Sequence, residues 1–532
     1  MHQTPPTPAI FAMPMFRPWV PRILQPWIYI LTVFCIQFSS GIYLGALESI
    51  RGTTGLMIED LLMLLYASLA GMAIYFPLLF RMKFRFTNQQ LLCTSAIIIA
   101  ICNLITMHST FMPLLLLTCF ISGMAKLQAT FECMSNIQLW ITPKRDFAVF
   151  FPVLHIVLLT SIEGSGWLAA WFAHHFTWQS MHIFTVATMC FVILTQATLC
   201  RPFCPLPQRL SLRGIDLSSG LLISLLMLMV SYILVYGDYL QWYASPTINI
   251  LTAAALILSA YLLHRLRHVT HPFVNLHILT LRNVIPILIV TIFAELLLGC
   301  EHTLEEILYC EVYHLEELTK ETHYLFALPG IYLGVAIALY WLRLKRWKVW
   351  RLFGIAFGCL LAYSLLMYLT IDRHVNIEQY HLPIILRGCA YSILASTLMW
   401  SLHESIHDLE QFFMGLFIFN ILHMYLAGAT GYGFYTTLFS HYLNDDISLY
   451  GHQLTLLHIQ PTDFGQLLTD RYLPNMFSIA LKQVYGLVTW ISAILTILFL
   501  LLDIPAVRTN LRKVPLWPVT AIEYLARFRP HI

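Results

Sequence analysis

The apolar and polar positions of the chain alternate in one long form: an apolar run of roughly 17 to 25 residues, then a short polar break. Such runs occupy residues 27–49, 57–80, 90–107, 112–140, 147–172, 181–199, 216–236, 246–264, 283–302, 323–342, 349–370, 382–402, 411–430 and 484–503. Each can cross a ~30 Å hydrocarbon core as a helix, the form that satisfies every backbone group where water is absent. The first run is too long for a signal-peptide core and lacks a small-residue cleavage site, so it is expected to stay as a helix. The pattern predicts an all-α integral membrane protein with 14 transmembrane helices.

Charge placement tests that number. With alternate loops assigned to opposite sides, one side holds 23 Lys and Arg and the other 5, while Lys126 and Arg387 fall within spans. A missed or extra helix in the middle would destroy this asymmetry. The positive-inside rule therefore predicts an even number of spans and both ends cytoplasmic. Composition agrees: 58% of the 532 residues are hydrophobic and only 11% charged, with a mean hydropathy of +0.72, against about 25% charged in soluble domains. A net charge of +3, spread along the chain, gives no nucleic-acid footprint.

Most of the twelve cysteines lie in spans, and Cys200 and Cys204 in "CRPFC" lack a second pair, so neither a disulfide framework nor a metal site is implied. No phosphate-cradling Gly-Lys-Ser loop, zinc signature or nucleophile triad occurs, which argues against an ATP-driven pump or an enzyme. No cofactor is implied.

The expected organisation is a cytoplasmic N-terminal segment (1–26), a six-helix bundle (27–199), a Pro-rich basic loop with two inserted helices (200–282), a second six-helix bundle (283–503) with an outer loop at 431–483, and a cytoplasmic tail (504–532). Several stretches carry a resemblance. "HHFTWQSMHIF" around Trp178, "GIDLSSGLLI" with Asp216, "YGDYLQWYASPTI", and "THPFVNLHILTLRNV" with Pro272, Asn275, Leu276, Arg282 and Asn283 look like segments of the fourteen-span drug:proton antiporter branch of the major facilitator superfamily, the multidrug-efflux type. The resemblance covers nearly the whole chain in short, degenerate pieces. It implies the major facilitator fold in a 6+2+6 arrangement.

The departures bear on function. Where the family carries an aspartate in span one, this chain has "FSSGIYLGALESI", with Ser39 nearest; the gate loop after span two is "FRMKFRFTNQQ", without its glycine and aspartate; an arginine usual in span four is replaced near Thr118; and the span-five antiporter motif is reduced to "GSGWLAA". The family's coupling residues therefore cannot be transferred.

What replaces them follows from the bilayer, where an ionisable side chain costs at least ~2.5 kcal/mol and so normally faces a partner or a water-filled cavity. Such residues are Lys126 and Glu132 in span four, Glu163 in span five, Glu295 in span nine and Arg387 in span twelve, with His155 as a further titratable group. Lys126 and Glu132, six apart, point about 120° from each other. Counting from Arg145, Lys126 and Glu163 reach nearly equal depth, roughly 27 to 29 Å from the turn, so a Lys126–Glu163 ion pair is expected on antiparallel neighbours. Glu132, Glu295 and Glu163 are the proton-coupling candidates, since buried carboxylates have raised pKa values. Lys126 and Arg387 are the candidate charge partners or substrate contacts.

The run "EHTLEEILYCEVYHLEELTKE", with seven glutamates between Glu301 and Glu321, reads as a solvated face at a helix end. The expected function is secondary active transport in the cytoplasmic (inner) membrane, exporting lipophilic or amphipathic small molecules in exchange for protons. The alternatives are a dedicated lipid or metabolite exporter and a non-transporting membrane subunit or sensor. Membrane lipid surrounds the protein, and the resemblance implies a periplasmic adaptor and an outer-membrane channel as partners.

Overall fold

The computed structural model describes residues 15–142, 146–204, 216–269, 272–281, 283–344, 349–372, 375–406, 408–423, 428–456 and 473–501. Arg145, Arg282, residues 457–472 of the expected outer loop and the tail 504–532 lie outside them. The described residues are almost entirely helical, with one isolated antiparallel bridge between Phe16 and Cys200.

Seventeen α-helices are formed among the described residues: α1 Leu24–Gln37, α2 Leu47–Thr54, α3 Ile58–Lys83, α4 Asn88–His108, α5 Met112–Ile141, α6 Phe147–His175, α7 Gln179–Leu199, α8 Leu217–Tyr236, α9 Pro246–His268, α10 Val284–Leu298, α11 Glu317–Tyr324, α12 Ala327–Leu344, α13 Val349–Thr370, α14 His381–Ser405, α15 Leu409–His423, α16 Gly431–Leu456 and α17 Leu473–Leu501. Thirteen candidate spans are long and apolar enough to cross a membrane, and they fall on the expected runs from 57–80 onwards. The first expected run, 27–49, is divided. Its apolar helix α1 has only 14 residues, and the chain then breaks through "FSSGIYLG" before α2. Ser39 Oγ donates to the Ile36 carbonyl, and Gly41 lies so close to Cys119 of α5 that a Cβ there would come within 2.7 Å of Sγ. The break is thus pressed into α5.

Close backbone approach organises both bundles. A Cβ on Gly123 of α5 would meet the Ser68 carbonyl of α3 at 2.0 Å, and one on Gly71 of α3 would meet the Phe120 carbonyl at 2.0 Å. Two glycines facing each other's backbones let α3 and α5 touch along their length, the way helices gain van der Waals contact where lipid is as apolar as the side chains. Gly330 of α12 does the same against α14, where a Cβ would meet the Ile385 carbonyl at 1.9 Å. Around these seams α1, α3, α4, α5 and α7 form one bundle, and α12, α13, α14 and α17 form the body of the other.

The inserted pair α8 and α9 pack on each other, and α8 also on α3 and α16. Asp216 caps α8 by accepting from Ser219 N and bonds Arg265 of α9 at 2.9 Å. Burial pushes the Asp216 carboxyl up, but hydrogen bonds from Arg265, Ser218 and Ser219 outweigh it and hold it well below the usual carboxylate range.

Two expectations are corrected. Residues 431–456, expected as outer loop, form α16. Its interspersed Thr, Ser, Asn and Asp lower the apolar signal, yet two of these side chains tie the helix to its neighbours: Trp242 Nε1 donates to Thr437 at 2.9 Å and Ser440 to Asp238 at 3.0 Å. Tyr435 donates to the Leu296 carbonyl at 2.8 Å. The run 301–321 is a solvated face only in part: α10 continues as π-helical turns at 301–305 and 308–312, and Glu305, Lys320 and Glu321 are buried while Glu311 and Glu316 are exposed. Wide π turns interrupt helices most often at functional sites.

Gly123→Leu is expected to separate α3 from α5 and to lower stability by about 1–3 kcal/mol or more, read as a fall in melting temperature in detergent. Gly52, with open space around it, should accept alanine with no such loss.

Candidate functional site

The helices give the molecule a basic end, with Arg17, Arg81, Lys83, Arg265 and Arg351, and an opposite acidic end, with Glu48, Glu316 and Glu317. Between them lie the charged side chains of interest, at different depths.

In the first bundle, Lys126 stands 14 residues from one end of α5 and 15 from the other, at the middle of that helix. Its ammonium donates to the Gln37 carbonyl at 2.9 Å and to the Ser39 carbonyl at 2.7 Å, in place of the expected ion pair with Glu163. The reason is the packing order. Although α5 and α6 are consecutive and antiparallel, α1 packs against both, while α6 packs mainly on α12, α14 and α11 of the second half. Equal depth along two helices does not make their side chains neighbours when a third helix lies against each. The broken end of α1 supplies carbonyl groups freed from helical bonding, and Lys126 takes two of them.

Glu132 is buried on α5 nearer the basic end and has a partner that sequence reasoning did not assign. Lys83, the last residue of α3, stands 3.5 Å from its carboxylate and also bonds Ser135, while Asn136 donates to Glu132 Oε1 at 3.2 Å. Lys83 belongs to the "FRMKFR" stretch, read only as a basic gate loop. Glu163 is half-buried on α6.

In the second half, Glu295 of α10 is buried and stands 2.7 Å from Nδ1 of His423, the last residue of α15. His423 has no sequence signal beyond being one of 22 histidines. Ten residues along from Glu295, on the π-helical continuation, Glu305 pairs with Arg387 of α14, their side chains 0% and 2% exposed. Tyr363 donates to Glu305 Oε1 at 2.6 Å, Tyr485 stands 3.3 Å from the Tyr363 hydroxyl, and the Arg387 guanidinium lies over the Tyr324 ring, 5.6 Å from its centre. Beside this group Lys320 bonds Glu306 at 2.5 Å. Glu305 was missed because its glutamate run looks solvent-facing when counted as ordinary helix; the π turns rotate it inward.

The two halves meet at both ends. At the basic end Arg81 of α3 faces Glu410 of α15 at 3.5 Å, Phe413 packs edge-on against Phe131, and the rings of Phe147 of α6 and His403 lie 3.9 Å apart, centre to centre. At the acidic end His174 of α6 contacts Glu316 at 2.6 Å, and Glu317 accepts from the Glu48 backbone N–H at 2.5 Å. His155 sits between, its Nδ1 2.8 Å from the Phe151 carbonyl and 3.3 Å from Ser396 of α14.

No family model matches the sequence, and no curated protein is significantly similar to it. Solved structures match its fold over most of its length. The peptide transporter POT in complex with sulfate has a TM-score of 0.58 at 10% identity, over 93% of this chain and 97% of that one. A mutant of the nucleoside transporter NupG has a TM-score of 0.53 at 14% identity, over 90% of this chain and 98% of that one, and the tetrameric peptide transporter PepTSo2 a TM-score of 0.56 at 11% identity, over 92% and 99%. The chain shares the fold of these transporters. Its helices, thirteen of them candidate spans among the described residues, stand in two bundles, and the charges above lie within and between them.

Arg387→Met, which leaves Glu305 ionised among tyrosines, is expected to lower stability by about 3–5 kcal/mol. Glu305→Gln combined with Arg387→Met should regain most of that loss, because no buried charge is then left alone. Thermal unfolding of the purified variants in detergent reads both.

Proposed function

We propose that this protein is a secondary active transporter of the cytoplasmic membrane that exports lipophilic or amphipathic compounds in exchange for protons, as in the drug:proton antiporter branch its sequence resembles. Both ends lie in the cytoplasm in this reading, α1 with its break counts as the fourteenth span, and the two bundles rock about the membrane midplane. The observation that carries it is the contact of Glu295 with His423. A carboxylate and an imidazole at 2.7 Å can hold one proton between them as an ion pair, take a second, or release one, and the groups remain partnered in each state. Glu132 with Lys83 offers a second carboxylate nearer the basic end. Glu163 is the third candidate, on α6, the helix shared between the halves. Arg387 keeps its proton and holds Glu305, a structural counter-charge beside the exchange site.

Rocking requires the end contacts to alternate. Arg81–Glu410 at the basic end and His174–Glu316 at the acidic end are exposed enough to break at small cost. A periplasmic adaptor and an outer-membrane channel are the partners that the sequence resemblance adds to this reading.

In inverted vesicles, Glu295→Gln is expected to abolish proton-driven uptake of a lipophilic substrate while leaving substrate binding within about threefold, and Glu132→Gln and Glu163→Gln should each weaken coupling. Full coupling in all three variants would exclude these carboxylates as carriers. Joining Arg81→Cys to Glu410→Cys by oxidation should stop transport reversibly, and continued transport in the cross-linked protein would rule out opening at that end.

A further inference from the structure

Three cations within the bundles face carboxylates. Lys83 faces Glu132, Lys320 faces Glu306 and Arg387 faces Glu305. Lys126, at the middle of α5, is held by the carbonyls of Gln37 and Ser39. Carbonyl dipoles orient an ammonium but cannot cancel its charge, and the described residues place no carboxylate against Lys126 near the membrane midplane. An ammonium also has three N–H donors, and the described residues accept two of them. The side chain keeps part of its surface accessible.

Two aromatic rings lie on the stretch of chain that supplies these carbonyls. Phe38 lies between the two accepting residues in sequence, with its ring 3.3 Å from the position a Cβ on Gly164 of α6 would take, and Phe34 lies 6.0 Å from it, centre to centre. Both rings are half-buried. Gly164 leaves that ring its place, and Gln37 turns its amide away to Thr130 at 2.7 Å. A positive charge with one donor to give, held by a stretch of chain that also carries two partly accessible rings, is the complement of a molecule with an acidic head and an apolar body.

We infer that Lys126 and the break in α1 form the binding point for an amphipathic anion, the sulfonate, carboxylate or phosphate group of the ligand meeting the ammonium and its apolar part meeting Phe34 and Phe38. This deepens the transport reading by naming its substrate class, and rests on that reading only for the claim that the bound anion is moved. The anion would complete the charge balance that no described side chain supplies, and it would do so where the first span is interrupted.

The test compares octanesulfonate, octyltrimethylammonium and octanol on the full-length protein. In nonionic detergent, octanesulfonate should raise the melting temperature saturably and the other two should not; Lys126→Gln should weaken octanesulfonate binding by about tenfold or more, and Lys126→Arg should retain most of it. Unchanged octanesulfonate binding in Lys126→Gln, or equal binding of the cation, overturns the proposal. If Lys126→Gln does not fold, competition on the wild-type protein decides: displacement of labelled octanesulfonate by decanesulfonate but not by decyltrimethylammonium supports the site, and displacement by both overturns it. Lys126-dependent binding without uptake into proteoliposomes under any gradient keeps the site and removes the transport reading, whereas gradient-driven uptake indifferent to Lys126 does the reverse. In vesicles containing phosphatidylglycerol, competition by the lipid assigns the natural anion to a lipid headgroup, and lack of competition assigns it to a free amphiphile.

Discussion

An ionised side chain inside a hydrocarbon layer has no water to screen it, and most of the internal arrangement of this protein follows from that constraint. Glu305 and Arg387 are almost wholly buried and lie against each other, and the tyrosines around them, Tyr363, Tyr485 and Tyr324, supply a hydroxyl donor and an aromatic face. The π-helical turns that extend α10 are part of the same solution, because they carry Glu305 into the bundle, where an uninterrupted α-helix would place it differently. Glu295 meets His423, and Glu132 meets Lys83, by the same rule. Each pair joins helices that are distant in sequence, so charge neutralisation also fixes which helices are neighbours.

Packing without a hydrophobic driving force is the second constraint, and glycine answers it. Gly71 and Gly123 allow α3 and α5 to meet backbone to backbone, and Gly330 allows the same for α12 and α14. These seams make each half rigid. The joins between the halves are of another kind: the ion pairs Arg81–Glu410 and His174–Glu316 stand partly in solvent, and aromatic rings pack edge-on or tilted at the basic end. Rigid bodies joined by weak surface contacts can move against each other, and α6, which reaches across to α11, α12 and α14, is the helix along which such movement would act.

The solved transporters that share this fold do so at 10–14% identity, which fixes the backbone plan and leaves the chemistry of the interior to this chain's own residues. Main-chain carbonyls at the break after Gln37 hold Lys126, and Lys83 at the end of α3 is the partner of Glu132.

The sequence by itself determined the membrane class and nearly all the spans, because apolar length and the placement of Lys and Arg depend on the bilayer and not on tertiary contacts. It also picked out the ionisable residues that lie within apolar runs, since any charge there is conspicuous. Their partners were decided by the tertiary structure alone. Lys126 and Glu163 have matching depths, yet α1 packs against both their helices and offers Lys126 carbonyls instead. His423 and Lys83 sit at helix ends, where a basic residue carries no distinguishing signal, and Glu305 is hidden in a run whose inward face depends on π turns that residue spacing does not specify. Depth in the membrane is a one-dimensional property and can be counted along the chain; which side chains meet depends on helix order and rotation, which only the packed bundle fixes.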